Sequence, residues 1–190
     1  MTAVQYLDTP WDYSRPALRL ERLLRRNAVM IQGFFAVLWA VRLAVVSGPW
    51  EVPLLVTIAM VVASRRAFRS TVGLRARDEF RTSKGRAFLR PVTRLTLWQI
   101  AGSIVLPVAA TAVGIDDWAV PLVALTIGLF LVGFGRTLQL TSVRVIGAVT
   151  SVVVVAIPSI IAGDALVAWV SAAMVCALSA SAIVCARAAK

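Results

Sequence analysis

The sequence predicts an all-α membrane protein of six transmembrane helices, arranged as three helical hairpins with both termini in the cytoplasm. Three observations predict it. Of 190 residues 59% are apolar and 15% charged, and the mean hydropathy is +0.84, a composition outside that of soluble domains. Six apolar segments of spanning length recur along the chain. Basic residues crowd into alternate connections, and the others carry acidic residues without Lys or Arg.

Residues 1–27 are expected to form a cytoplasmic basic segment. No cleavable signal is expected, because the first apolar run follows polar and basic residues and has the length of a span rather than of a signal core. The stretch "SRPALRLERLLRRN" reads as a helix start, with Ser14 as its cap and Pro16 in its first turn. Leu20, Leu23 and Leu24 would face lipid while Arg19, Arg22 and Arg26 face water or anionic head groups. That describes an interfacial helix, each basic residue near the surface adding about 1 kcal/mol. A plain topology signal would account for the same charges.

Residues 28–190 are expected to form a single six-helix transmembrane domain, with spans near 28–47, 50–68, 95–113, 118–134, 145–161 and 165–185. A hydrocarbon core of about 30 Å needs about 20 helical residues. Helices are required there, since lipid offers no partner to a free backbone N–H or C=O. Segments of about 10 alternating residues, the mark of an outer-membrane barrel, are not seen. The connection 69–94, with Gly73, Gly85 and Pro91 as breakers, reads as a basic cytoplasmic loop, solvated or bound to head groups.

Charge sets the orientation. Arg15, Arg19, Arg22, Arg25 and Arg26 precede the first span, ten basic residues fall between Arg65 and Arg94, Arg136 and Arg144 flank the next turn on that side, and Arg187 and Lys190 close the chain. The opposite connections carry Glu51, Asp116, Asp117 and Asp164 and no Lys or Arg. The positive-inside rule then places both termini in the cytoplasm of an inner-membrane protein. The net charge of +11 does not indicate a nucleic-acid partner, because apolar runs fill most of the chain; anionic lipid head groups are the expected counterpart.

A short corner is written twice, as "GPWEVP" and "DDWAVP". In each the acid stays outside, Trp50 or Trp118 anchors at the head-group level, and Pro53 or Pro121 enters the first turn of the returning helix. The third hairpin keeps only Gly163 and Asp164. Such repeats occur in transporters and equally in proteins that only pack.

The runs "GRAFLRP", "GIDDWAVP" and "ALTIGLFLVGFGR" resemble a broad set of uncharacterised bacterial six-span membrane proteins. The matching positions are Gly85, Arg86, Phe88, Asp117, Trp118, Pro121, Gly128, Leu129 and Arg136, over the C-terminal half of the chain. Phe130 stands where that set tends to carry His. The resemblance implies the six-span fold and no activity.

The chain has no histidine, and no carboxylate lies in the interior of a span. Most hydrolytic and redox schemes therefore lack parts, and neither a cofactor nor a metal site is expected. Cys176 and Cys185 read as small packing residues. Three features could carry chemistry. The carboxylates Glu51, Asp116, Asp117 and Asp164 would converge if the hairpins surround one axis, and mutual repulsion would then suit them to proton donation or cation binding; alternatively they are the polar content of loops that exclude basic residues. Arg42, inside the first span, would pair with Glu51, Asp116 or Asp117, snorkel, or bind an anion. Gln32 and Gln99 would line a polar cavity, or bond between helices like Ser103, Thr111, Thr126, Ser151 and Ser159.

In the last span Ala173, Ala177, Ser181 and Cys185 form a stripe of small residues that lets a helix approach closely, either from the same chain or from a second copy. The leading functional reading is a protein without catalysis of its own that binds or passes a small or lipidic ligand, such as an apolar small molecule, or supports a membrane complex. The alternatives are a cyclase or isomerase acting on an isoprenoid-like chain, with the outer carboxylates as proton donors, and an oligomeric channel or transporter.

Overall fold

The computed structural model describes residues 15–69, 71 and 80–188, with side chains from Leu20 to Arg187 except that of Lys84. Ser14, Gly73, Arg75, Arg77 and Lys190 lie outside the described residues, as do the side chains of Arg15 and Arg19. The described residues are helical, with no strand. The helices are α1 (Arg15–Ser47), α2 (Glu51–Arg69), α3 (Ser83–Ala112), α4 (Ala119–Thr137), α5 (Thr141–Ala156) and α6 (Gly163–Ala188), with single 3₁₀ turns at Asp116–Trp118 and Ile157–Ser159.

Among the described residues five stretches are long and apolar enough to cross a membrane: Leu20–Ser47, Gly85–Ala112, Asp116–Thr137, Thr141–Ser159 and Gly163–Arg187. The chain is accordingly a multi-pass α-helical membrane protein. The second expected span is the exception, since α2 opens on Glu51 and closes on Arg65, Arg66 and Arg69, so its uninterrupted apolar stretch is short.

Two core clusters order the bundle. One gathers Ala28 and Val29 of α1, Ala67 of α2, Phe134 of α4, Val143 of α5 and Cys185 of α6. The other gathers Ala36 and Ala40 of α1, Ala124 of α4, Val154 of α5, and Val170 and Met174 of α6, with Val52 and Val56 of α2 against it. The start of each odd helix thus meets the end of each even one, and neighbours run antiparallel. The first cluster lies at a basic end and the second at an acidic end, and both ends of the helical chain return to the basic one.

Helix α6 is the hub. Its contact with α1 is the most extensive in the molecule, and it also packs on α2, α4 and α5. The small-residue stripe explains this closeness: Ala177, Ser181 and Cys185 are all buried within the chain. A helix of the same chain covers the stripe, and no second copy is needed to do so.

Helices α4 and α5 cross almost as intimately, backbone against backbone. A Cβ built on Gly147 would lie 2.7 Å from the Gly128 carbonyl oxygen and 2.7 Å from the Val132 nitrogen. By contrast α3 packs on α4 and the turn before it, and almost none of it is buried. Its outward residues, such as Trp98 at 78% exposure, are those that lipid would cover.

Two expectations about the basic end change. Leu20, Leu23 and Leu24 are only 3%, 0% and 6% exposed, so protein covers them and lipid does not. The segment continues without a break into α1, because Leu24 joins the same core cluster as Ala63 and Ala67 of α2. Residues 83–94, expected within a loop, are helical: Thr82 caps α3 by accepting a hydrogen bond from the Gly85 N–H at 2.9 Å. Neither Gly85 nor Pro91 ends that helix. Pro91 removes one N–H donor near a helix end that carries the exposed Arg86, Arg90 and Arg94, where water can satisfy the freed carbonyl.

All three acidic-end corners use a glycine with left-handed backbone: Gly48 (φ 91°), Gly114 (φ 77°) and Gly163 (φ 65°). At the second corner the Gly114 N–H bonds the Thr111 carbonyl and the Ile115 N–H reaches back to Ala110 at 2.9 Å, closing α3 in a Schellman motif. Any side chain here meets its own carbonyl, at about 1–2 kcal/mol. Gly114→Ala is expected to lower stability by about 1 kcal/mol on that ground, read as a lower unfolding midpoint in detergent, although open space surrounds the position.

Candidate functional site

The second and third acidic-end corners meet in a cleft of about 350 Å³. On one side the 3₁₀ turn presents Asp116, Asp117 and Trp118. On the other stand Pro158, Ile161 and Leu166. Each wall has a local cause. The turn Asp116–Trp118 is closed by the Trp118 N–H on the Ile115 carbonyl at 3.0 Å, and Pro121 follows in the first turn of α4, fully buried. Helix α5 gives way to 3₁₀ geometry around Pro158, with the Ile160 and Ile161 N–H groups both on the Ile157 carbonyl. The cleft therefore has an acidic rim, one half-buried aromatic ring and an apolar wall.

The four carboxylates divide between locations. Asp116 and Asp117 line the cleft; Asp164 opens α6 two residues before Leu166, and Glu51 opens α2 without lining the cleft. All four are exposed. A cause of their recurrence that sequence reading missed is positional. Glu51 and Asp164 occupy the first turns of their helices, and Asp116 and Asp117 the turn that leads into α4. A carboxylate there complements the helix dipole by about 0.3–1 kcal/mol.

Arg42 is exposed, and its guanidinium lies 5.9 Å from the centre of the Trp39 ring, within cation–π range. Among the described residues no carboxylate comes within ion-pair distance of it. Gln32 is buried in α1, whereas Gln99 is half-buried on α3, which packs chiefly on α4. The two glutamines do not face one cavity. The hydroxyl pair does join helices: Ser103 on α3 and Thr126 on α4 are 2.7 Å apart, and Thr126 donates to the Val123 carbonyl. Ser103 is then the donor between them.

What sequence reading missed is on α6. The hydroxyls of Ser171 and Ser181 are fully buried, and with both amide atoms of Gln32 they have no hydrogen-bond partner among the described residues. Only their polarity in an apolar helix could have marked them. At the basic end, Arg25 pairs with Glu21 one turn away, and Arg26 reaches Thr71 at 3.4 Å and stacks on Phe68. No three His, Cys, Asp or Glu side chains among the described residues could share a metal ion. Comparison with family models, curated proteins and solved structures finds no match.

Proposed function

We propose that the chain crosses the inner membrane six times, α2 included, with the basic end in the cytoplasm, and that it works as a binding module for a small amphiphilic cation. The observation that carries the ligand class is the cleft between the second and third corners. Asp116 and Asp117 supply negative charge without a basic neighbour on the cleft wall, the Trp118 ring offers a π face to a cation, and Pro158 and Ile161, backed by the buried Leu166, accept an apolar tail. The orientation rests on charge segregation: the described Arg side chains other than Arg42 gather at one end of the antiparallel bundle. The resemblance to bacterial six-span proteins agrees with the crossing number.

This reading is preferred to proton-donor catalysis because the four carboxylates are exposed and Glu51 stands away from the cleft. The test is binding of alkyltrimethylammonium ions of increasing tail length to the purified protein, followed by tryptophan fluorescence. Affinity is expected to rise with tail length and to fall about tenfold, the equivalent of about 1.4 kcal/mol, in Asp116→Asn/Asp117→Asn. Equal affinity in the double variant sinks the proposal.

A further inference from the structure

The two helices of the first hairpin share a register that their contacts fix. A Cβ on Gly33 would lie 3.3 Å from the Cβ of Met60, and the Arg26 guanidinium sits 5.0 Å over the Phe68 ring. Because α1 and α2 run antiparallel, these two contacts put Arg42 level with the start of α2, at Glu51. The charge pattern along both helices then closes on itself. On α1, residues 27–41 are free of charge, a rise of about 22 Å; on α2, residues 52–64 are, a rise of about 20 Å. Exposed Arg42 and Glu51 bound this belt at one edge, and exposed Arg65 and Arg66 at the other.

Helices α4 and α6 are taller. The charge-free helical stretch between Asp117 and Arg136 rises about 27 Å, and that between Asp164 and Arg187 about 33 Å. Those heights match a hydrocarbon core of about 30 Å, and that of the first hairpin does not. Snorkelling relieves only part of the mismatch. The Arg42 head folds back over Trp39, one turn nearer the middle of the belt, and along the belt α1 presents Ile31, Phe34 and Leu38 outward. No carboxylate among the described residues neutralises Arg42, so its counter-charge must come from the surroundings.

We infer that the α1–α2 hairpin is a lipid-binding face for a thinned rim of bilayer, where phospholipid phosphates descend to Arg42 on one side and to Arg65 and Arg66 on the other. The partner is a phospholipid with short acyl chains, recognised by belt height and by arginine at both edges. Mismatch costs fractions of a kcal/mol per Å, and over a deficit of about 8–10 Å on one side of the molecule this suffices to sort the protein toward thinner membrane. The inference rests on the crossing of α2 proposed above.

The experiment uses the full chain in phosphatidylcholine vesicles whose acyl chains run from fourteen to twenty-two carbons, with thermal unfolding followed by circular dichroism. Wild type is expected to be most stable with chains shorter than eighteen carbons. Arg42→Leu and Arg65→Leu/Arg66→Leu are each expected to move that optimum by two carbons or more toward longer chains. A wild-type optimum at eighteen carbons or beyond overturns the inference, as does an optimum that stays put in variants that fold. Should a variant not fold, the wild-type optimum decides alone. Impermeant thiol labelling of Glu51→Cys and Arg69→Cys, in a Cys176→Ala/Cys185→Ala background, separates the two readings. Labelling from the same side removes the crossing of α2 and the inference with it; labelling from opposite sides without a chain-length optimum below eighteen removes the thinned rim alone.

Discussion

Gly147→Ala is expected to cost about 1–3 kcal/mol, the range of an overpacked core, and to halve or worse the folded yield in detergent. A methyl group there meets backbone on both sides, the Gly128 carbonyl and the Val132 N–H, and the Leu131 Cβ at 2.8 Å besides. None of these atoms can turn away. In a membrane the packing of helices supplies much of the association energy, because lipid tails are as apolar as the side chains they would displace, so separating α4 from α5 forfeits contacts that burial in lipid does not replace. Gly33→Ala is the control. Its methyl group would lie 3.3 Å from the Met60 Cβ and 3.4 Å from its Cγ and Sδ, a contact that a shift of a few tenths of an ångström relieves, and a cost well below that of Gly147→Ala is expected. The measurement is the unfolding midpoint of both variants in one detergent.

Gln32→Leu is expected to raise stability by about 1–3 kcal/mol, the usual penalty for a buried polar group without a partner. Gln32 is 3% exposed, and neither amide atom is bonded among the described residues. Its place is between the two core clusters: α1 meets Cys185 and Ala186 just below it and Leu178 just above, which puts it near the level of the buried Ser181 hydroxyl. Leucine of similar volume removes the desolvated amide and keeps the packing. A midpoint that falls by more than about 1 kcal/mol would instead mean that the amide is bonded in the native state, and the Gln32→Leu/Ser181→Ala double variant would then show whether the hydroxyl belongs to the same network.

Much of the fold was legible because lipid constrains it so tightly. Apolar runs between charged corners mark the helices directly, and Pro53 and Pro121 do fall in first turns. The N-terminal leucines were misread because amphipathicity says that one face is apolar and does not say what covers it; the partner residues, Ala63 and Ala67, lie some forty positions away. Gly85 and Pro91 misled because a breaker is only a tendency, and Thr82 and the turns that follow outweigh it. The site was less legible. Nothing local in "DDWAVP" tells that Pro158 and Ile161 stand opposite it, since that meeting depends on how α4 and α5 cross at Gly128 and Gly147. Gln32 and Gln99 stand 18 and 19 residues before Trp50 and Trp118 of the repeated corner yet in different environments, because α6 fills the space beside α1 whereas little covers α3.

The central place of α6 has a consequence for how the molecule is made. The face of α1 that α6 covers emerges long before its partner. The 115 residues between Ser47 and Gly163 take about 6–23 s to synthesise at 5–20 residues per second. For that interval α1 waits beside α2 with one side unpaired, while α3, α4 and α5 insert and pack among themselves. The α1–α2 pair and the α3–α5 group are thus joined only when α6 arrives. A nascent chain that stalls before α6 therefore holds two partly built halves without the helix that packs on both.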